Sequence, residues 1–285
     1  MEKKEALTRS FYDTQLMYRS TEKLRRAVRN TRRGSTIYGQ GEMVYIPDGS
    51  PNRAGLVFVS KETPLEVARR LGKENRRNRI ALLNSGSALN PGSGVRRGSV
   101  GTEESLCRCS TLYPDLCAEE YRRSFYTSNK NNKSYMNSDA CIYSPDVLII
   151  KSDLLSKKPE GDVEEIVDEK LPEYLWQKVD IITCCAPNLR AIEEKNLQRP
   201  SAEELKKVHA YRAMKVMAVA VAHGCNILVL CAPGCAGFRN DPSLVSAAWK
   251  QAAGELGSYF DQIVFAMGGT LRSEENYEAF QSVLG

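Results

Sequence analysis

Histidine is nearly absent from this chain. Among 285 residues there are two, His209 and His223, which excludes a multi-histidine metal site. No apolar run reaches the roughly 18 residues of a membrane span. The first residues, MEKKEALTRSFYD, lack the apolar core of a secretory signal. No glycine-rich turn is followed by GK[ST] or fits GxGxxG, so neither the P-loop nor the dinucleotide fingerprint is present. The nine cysteines are odd in number, and beside the only CxC, Cys107-x-Cys109, no second cysteine/histidine pair has metal spacing. They read as small, reduced, buried residues of an intracellular protein. A thiolate nucleophile with a histidine base stays open, although nothing points to one. Acidic residues are scarce at the N-terminus. Residues 1 to 33 carry ten Lys/Arg against four Asp/Glu, while the whole chain is only +5. This segment is either a solvated basic helix or a patch for polyanions such as nucleic acid.

What is present is a series of short apolar runs: MVYI (43–46), GLVFVS (55–60), IALLNS (80–85), VLIIKS (147–152), VDIITCCA (179–186), NILVLCA (226–232) and QIVFAM (262–267). Most are nearly continuous rather than alternating, so they predict strands buried on both faces. Helical patterns lie between them. One covers about 201 to 223, with a Ser201/Glu204 capping box and a stop at Gly224. Another covers about 242 to 256, with Asp241 as N-cap and Pro242 at the first position. A third begins at Ser273. Alternation of this kind predicts an α/β fold, a three-layer α/β/α domain with a mixed, largely parallel central sheet. MVYI and GLVFVS are expected to add an antiparallel pair at its edge. The polar stretch 127–141 is expected to be a long surface loop.

In such folds ligands sit beyond the carboxyl ends of the strands. Three loops there are unusual. The first runs from Ser87 through Pro91, Gly92, Ser93 and Gly94 to Thr102, Glu103 and Glu104. It is either an ordinary turn capping a helix, with Thr102 as the cap, or a loop whose amides approach an anionic ligand beside an acid. Leu106, Cys109 and Tyr113 recur at helical spacing and should face the core; Glu104 should point away from it. The second runs from Cys231 through Gly234, Cys235, Ala236, Gly237, Phe238, Arg239, Asn240 and Asp241 to Pro242, between a buried strand and a capped helix, a natural phosphate site. Phe238 is either a core plug or a platform for a ribose or base. The third is Ala186-Pro187-Asn188, which reads as a turn.

Taken in this order, LLNSGSALNPGSG, TEESLCRCSTLYPDL, APN and GCAGFRNDP resemble the bacterial-type poly(ADP-ribose) glycohydrolases of the macrodomain superfamily. The resemblance spans most of the chain. It implies a macrodomain over residues 41–285, preceded by a basic helical extension over 1–40. It implies hydrolysis of the O-glycosidic bond of ADP-ribose polymers or conjugates, by a monomer with no cofactor, metal or membrane partner. Carried over by position, Glu104 is the catalytic glutamate and Glu103 its partner on the sugar hydroxyls. Pro91, Gly92, Ser93, Gly94 and Thr102 fall in the first ligand loop. Gly234 to Arg239 fall in the diphosphate loop, with Phe238 near the scissile ribose. Asn84 and Ser87 flank the ribose. Two positions depart from the family pattern: Thr102 stands where the family has Gln, and Ser93 where it has the middle Gly of PGGG. If Ser93 needs φ > 0, the loop is strained. These departures motivate an alternative, a module that reads ADP-ribose without cleaving it. The basic N-terminus is a candidate surface for poly(ADP-ribose) or nucleic acid.

Overall fold

The computed structural model describes residues 2–49, 51, 53–132, 135–153, 168–269 and 272–285. Seven strands form its main sheet: β1 (Thr36–Tyr38), β2 (Leu56–Ser60), β3 (Ile80–Asn84), β4 (Cys141–Ile149), β5 (Gln177–Cys184), β6 (Ile227–Leu230) and β7 (Gln262–Ala266). Their spatial order is β1-β4-β5-β3-β6-β7-β2. The pairs β5/β3, β3/β6, β6/β7 and β7/β2 are parallel; β1/β4 and β4/β5 are antiparallel. The helices used below are α1 (Glu2–Ser20), α2 (Glu22–Gly34), α3 (Pro64–Glu74), α4 (Thr102–Cys109), α5 (Leu189–Glu194), α6 (Ala202–Ala222), α7 (Pro242–Leu256) and α8 (Ser273–Leu284).

Strands β3 and β6 are buried at every residue, as continuous aliphatic runs require when both sheet faces are covered. One face packs on α3 and α4 through Leu65, Leu71 and Leu106. The other packs on α6, α7 and α8 through Val216, Met217, Trp249 and Phe280. These are the three layers expected from the alternation. The caps form as the sequence implies: Ser201 and Glu204 close a capping box, and Asp241 accepts the Ser243 N–H at 2.9 Å. The nine cysteines are free, and all but Cys117 are buried. Among the described residues no helix is long and apolar enough to cross a membrane.

Three expectations need correction. MVYI (43–46) is extended but joins no strand ladder. Its alternation is real, with Val44 and Ile46 packed on the core and Met43 and Tyr45 exposed. The antiparallel pairing lies instead at the opposite edge, β1 with β4, and β2 runs parallel to β7. Strand β4 also starts earlier than the run at 147. It carries a bulge between Ser144 and Val147, where Asp146 takes φ 54° and donates its N–H to Asp180 at 2.9 Å. Ser144-Pro145-Asp146 bends a continuing strand here. Finally, residues 127–141 are not one loop. Ser128–Asn132 is helical, and buried Asn129 donates to the Phe125 carbonyl at 2.9 Å and accepts the Ser138 N–H at 2.8 Å.

Candidate active site

Strands β5, β3 and β6 are adjacent and parallel, so the loops leaving their carboxyl ends lie side by side. All three loops singled out by sequence leave these strands. Burial pushes the Cys231 thiol, just past β6, up to about 11, and the Thr102 side chain of the first loop is among the groups that oppose the rise.

The first loop folds around the two glutamates. Glu103 is buried, accepting the Ser87 N–H on Oε2 at 2.8 Å and the Gly92 N–H on Oε1 at 3.2 Å. Burial pushes its pKa up to about 8. The two amides oppose that rise, and the neighbouring Glu104 charge adds to it. The Asn84 side chain also bonds Glu103. Asn84 sits at the end of β3, donates to the Thr183 hydroxyl at 3.1 Å, and has an Oδ1 without a partner among the described residues. The Ser87 hydroxyl shapes the loop, accepting the N–H groups of Leu89 and Asn90. Gly86 makes this geometry possible. A Cβ there would stand 2.5 Å from the Glu103 carboxyl carbon, closer than atoms can approach.

Glu104 does not point freely away from the protein. It is buried, with Oε1 accepting the Gly94 N–H at 3.2 Å. Thr102 is not the cap of α4 but its first residue; Gly101 is the N-cap. A Cβ at Gly101 would meet Glu104 Oε2 at 2.5 Å, so the cap position is reserved for glycine by the carboxylate beside it. Pro91 is half-buried and Gly92 takes φ 68° against the Tyr113 ring. Ser93 takes φ 50°, so the departure from glycine falls on a left-handed residue.

Helix α4 is fixed from behind by α1. Arg108 bonds Asp168 at 2.8 Å, Ser10 donates to the same carboxylate at 2.7 Å, and the Thr14 hydroxyl donates to the Arg108 carbonyl. Lys151, also buried, donates to the Ser10 carbonyl at 2.8 Å. Leu106 and Cys109 face the core as expected; Tyr113 does too, but from the next helical turn, Tyr113–Leu116, with Phe11 edge-on at 4.9 Å.

In the second loop Cys235 is buried, Ala236 and Phe238 are half-buried, and Gly237 and Arg239 are exposed. Arg239 is committed to Glu193 on α5 at 2.9 Å. The loop is clamped by residues that sequence reading passed over. Asn240 Nδ2 donates to the carbonyls of Pro187 and Gly234 at 2.8 and 3.2 Å, tying the second loop to the APN turn. His209 Nε2 bonds Asn240 Oδ1 at 3.0 Å, and burial pushes the imidazole pKa down to about 4. Arg212, one helical turn along α6, donates to the carbonyls of Cys185 and Asn137 at 2.9 Å. Arg272 donates to the Cys235 carbonyl at 2.9 Å. Asn188, in the third loop, caps α5 by accepting the Ala191 N–H at 3.1 Å. A signal for this clamp was available: His209 and Arg212 sit three apart, on one face of α6.

Comparisons with known proteins agree with this arrangement. The family model for the catalytic domain of microbial-type PARG matches residues 2–152. The crystal structure of poly(ADP-ribose) glycohydrolase from Thermomonospora curvata is 31% identical with a TM-score of 0.74, covering 90% of this chain and 88% of that one. The same enzyme bound to the inhibitor ADP-HPD gives 0.70 at 31% identity, with coverages of 90% and 87%. The Deinococcus radiodurans enzyme in complex with ADP-ribose is 30% identical with a TM-score of 0.70, covering 90% of this chain and 96% of that one. No curated protein matches the chain. With the loops, the paired glutamates and the sheet order all in place, the chain belongs to the microbial-type PARG family.

Proposed function

We infer that this chain is a poly(ADP-ribose) glycohydrolase and that Glu104 is its acid and base. The observation that carries the reading is the pair of adjacent, buried carboxylates, each receiving an N–H from the same glycine loop. Glycosidases that place two carboxylates on opposite faces of a sugar need several ångströms between them. Neighbours on one helical turn do not straddle a ring in this way, so one residue takes both proton transfers. Glu104 gives its proton to the leaving oxygen as the bond to the anomeric carbon breaks. The ribose carries positive charge, stabilised by the Glu104 carboxylate and by the ligand's own diphosphate between the two loops. Water then attacks that carbon and returns a proton to Glu104. The leaving chain ends in a hydroxyl, and ADP-ribose is released.

Glu103 holds the ribose hydroxyls. A carboxyl titrating near pH 8 is mostly protonated at neutrality, so it donates as well as accepts. The 234–239 loop receives the diphosphate, while the Gly92 and Gly94 amides stay on the two glutamates, and Phe238 packs on the terminal ribose. The basic face of α2, including Arg26 and Arg33, offers the polymer a further attractive surface.

ADP-ribose release from poly(ADP-ribose) tests the assignment. Glu104→Gln keeps the Gly94 contact but has no proton to give, so release should fall by at least about a hundredfold. Undiminished release would remove Glu104 from this role. Tight ADP-ribose binding by wild type without any turnover would favour a reader.

A further inference from the structure

A separate cavity of about 460 Å³ lies beside the first loop, sharing Asn90, Ser93 and Gly94 with it. Four cations line it: Arg96, Arg97, Arg122 and Lys130. Among the described residues none of the four has a carboxylate within ion-pair distance, and the nearby Glu119 is committed to Arg123. Arg96 is held in place, donating from Nε to the Tyr113 hydroxyl at 2.8 Å with its guanidinium 5.6 Å from that ring's centre. Buried Tyr126 also lines the cavity, and its hydroxyl has no hydrogen-bond partner among the described residues.

Four like charges around one concavity repel each other unless an anion sits among them. The volume falls in the range of ligand sites, roughly 300–1,000 Å³, and guanidinium forks match phosphate oxygens. The position matters as much as the charge. Gly94, which lines this cavity, also gives its N–H to Glu104. A chain whose repeating unit carries a diphosphate therefore has its next phosphates close to the reacting bond.

We propose that this cavity is a subsite for the diphosphate of the ADP-ribose unit on the leaving side of the scissile bond. The proposal rests on the glycohydrolase reading. It gives the enzyme a grip on the chain that remains, through cations that lie outside the residues assigned to the unit being removed. None of the four cations touches the reacting atoms; they act on affinity for the chain.

The test compares wild type with the double variant Arg122→Ser, Lys130→Ser, in which both changed residues are exposed. Two substrates are used: poly(ADP-ribose), and para-nitrophenyl ADP-ribose, whose leaving group is small and uncharged. On the polymer, KM should rise about tenfold with kcat unchanged, and the slope of log KM against log salt should become shallower by about 1.4, or 0.7 for each lost phosphate contact. Kinetics on the nitrophenyl glycoside should not change. Unchanged polymer kinetics in the variant would overturn the subsite and leave the glycohydrolase reading intact. Equal losses on both substrates would overturn it too, since the cavity would then serve the unit being cleaved. An RNA oligonucleotide that competes as well as polymer of equal length, with competition lost in the variant, would make this a nucleic-acid surface instead. If wild type turned over neither substrate, the glycohydrolase reading itself would fail and the subsite with it.

Discussion

Replacing Glu103 by glutamine removes a titration while nearly preserving a shape. Glu103 is 3% exposed, and burial moves its pKa from 4.5 to about 8. A carboxyl whose folded pKa lies above its unfolded value favours the fold while protonated. Its contribution is fully present below pH 4.5 and is lost as pH rises toward 8. At 1.36 kcal/mol per unit, the loss is about 3 kcal/mol by pH 7 and about 4 kcal/mol by pH 8. Glutamine has one acceptor oxygen for the two amides of Ser87 and Gly92. One N–H is left without a partner, at about 1–3 kcal/mol. The two effects oppose each other, so stabilities near pH 7 should be similar. The pH slope separates them. Urea unfolding from pH 5 to pH 8 should show wild type losing about 3 kcal/mol relative to Glu103→Gln. Titrations common to both proteins, such as those of His209 and Asp153, cancel in the difference. Parallel stability curves would refute the idea that Glu103 is buried as a mainly neutral acid. Loss of ADP-ribose release in the same variant would show that the residue is retained for function, at the expense of stability above neutrality.

Gly86→Ala should cost about 2–3 kcal/mol by overpacking against the Glu103 carboxyl, and should lower ADP-ribose release even where the variant is folded by circular dichroism. His209 titrates in the opposite sense to Glu103. Its folded pKa of about 4 lies below the unfolded 6.5, so its contribution is complete above pH 6.5 and fades as pH falls. Thermal unfolding should show about 3 kcal/mol lost by pH 4, and His209→Gln should flatten that acid slope.

Much of this was legible in the sequence because each signal was local. Continuous aliphatic runs can be buried only inside a covered sheet, and β3, β5, β6 and β7 are where the runs fall. The carboxylates Glu103 and Glu104 and the glycines before them lie within one stretch of chain, and the structure folds that stretch on itself. The glutamates' burial was not legible, because it depends on amides folding back from Ser87, Gly92 and Gly94. Gly86 looked like one more small residue among serines; its necessity shows only when the Glu103 carboxyl is placed against it. The clamp of Asn240, His209 and Arg212 joins segments from three parts of the chain, and local pattern does not report such joins. Strand β4 was misplaced for a related reason: the bulge at Asp146 is secured by Asp180, on a neighbouring strand.

The sheet order has a consequence for how the protein is made. Among the described residues strand β2 pairs only with β7, across a long stretch of intervening chain. On the ribosome β2 emerges well before β7 and stays without its ladder until β7 has followed. In the finished fold it remains an edge, with Leu56 and Phe58 exposed on it. Closing so long a loop is slow, and an unpaired apolar strand is open to pairing with other nascent chains in the interval. Partial chains that end before β7 leave β2 open, so they should need protection from one another more than the folded molecule does.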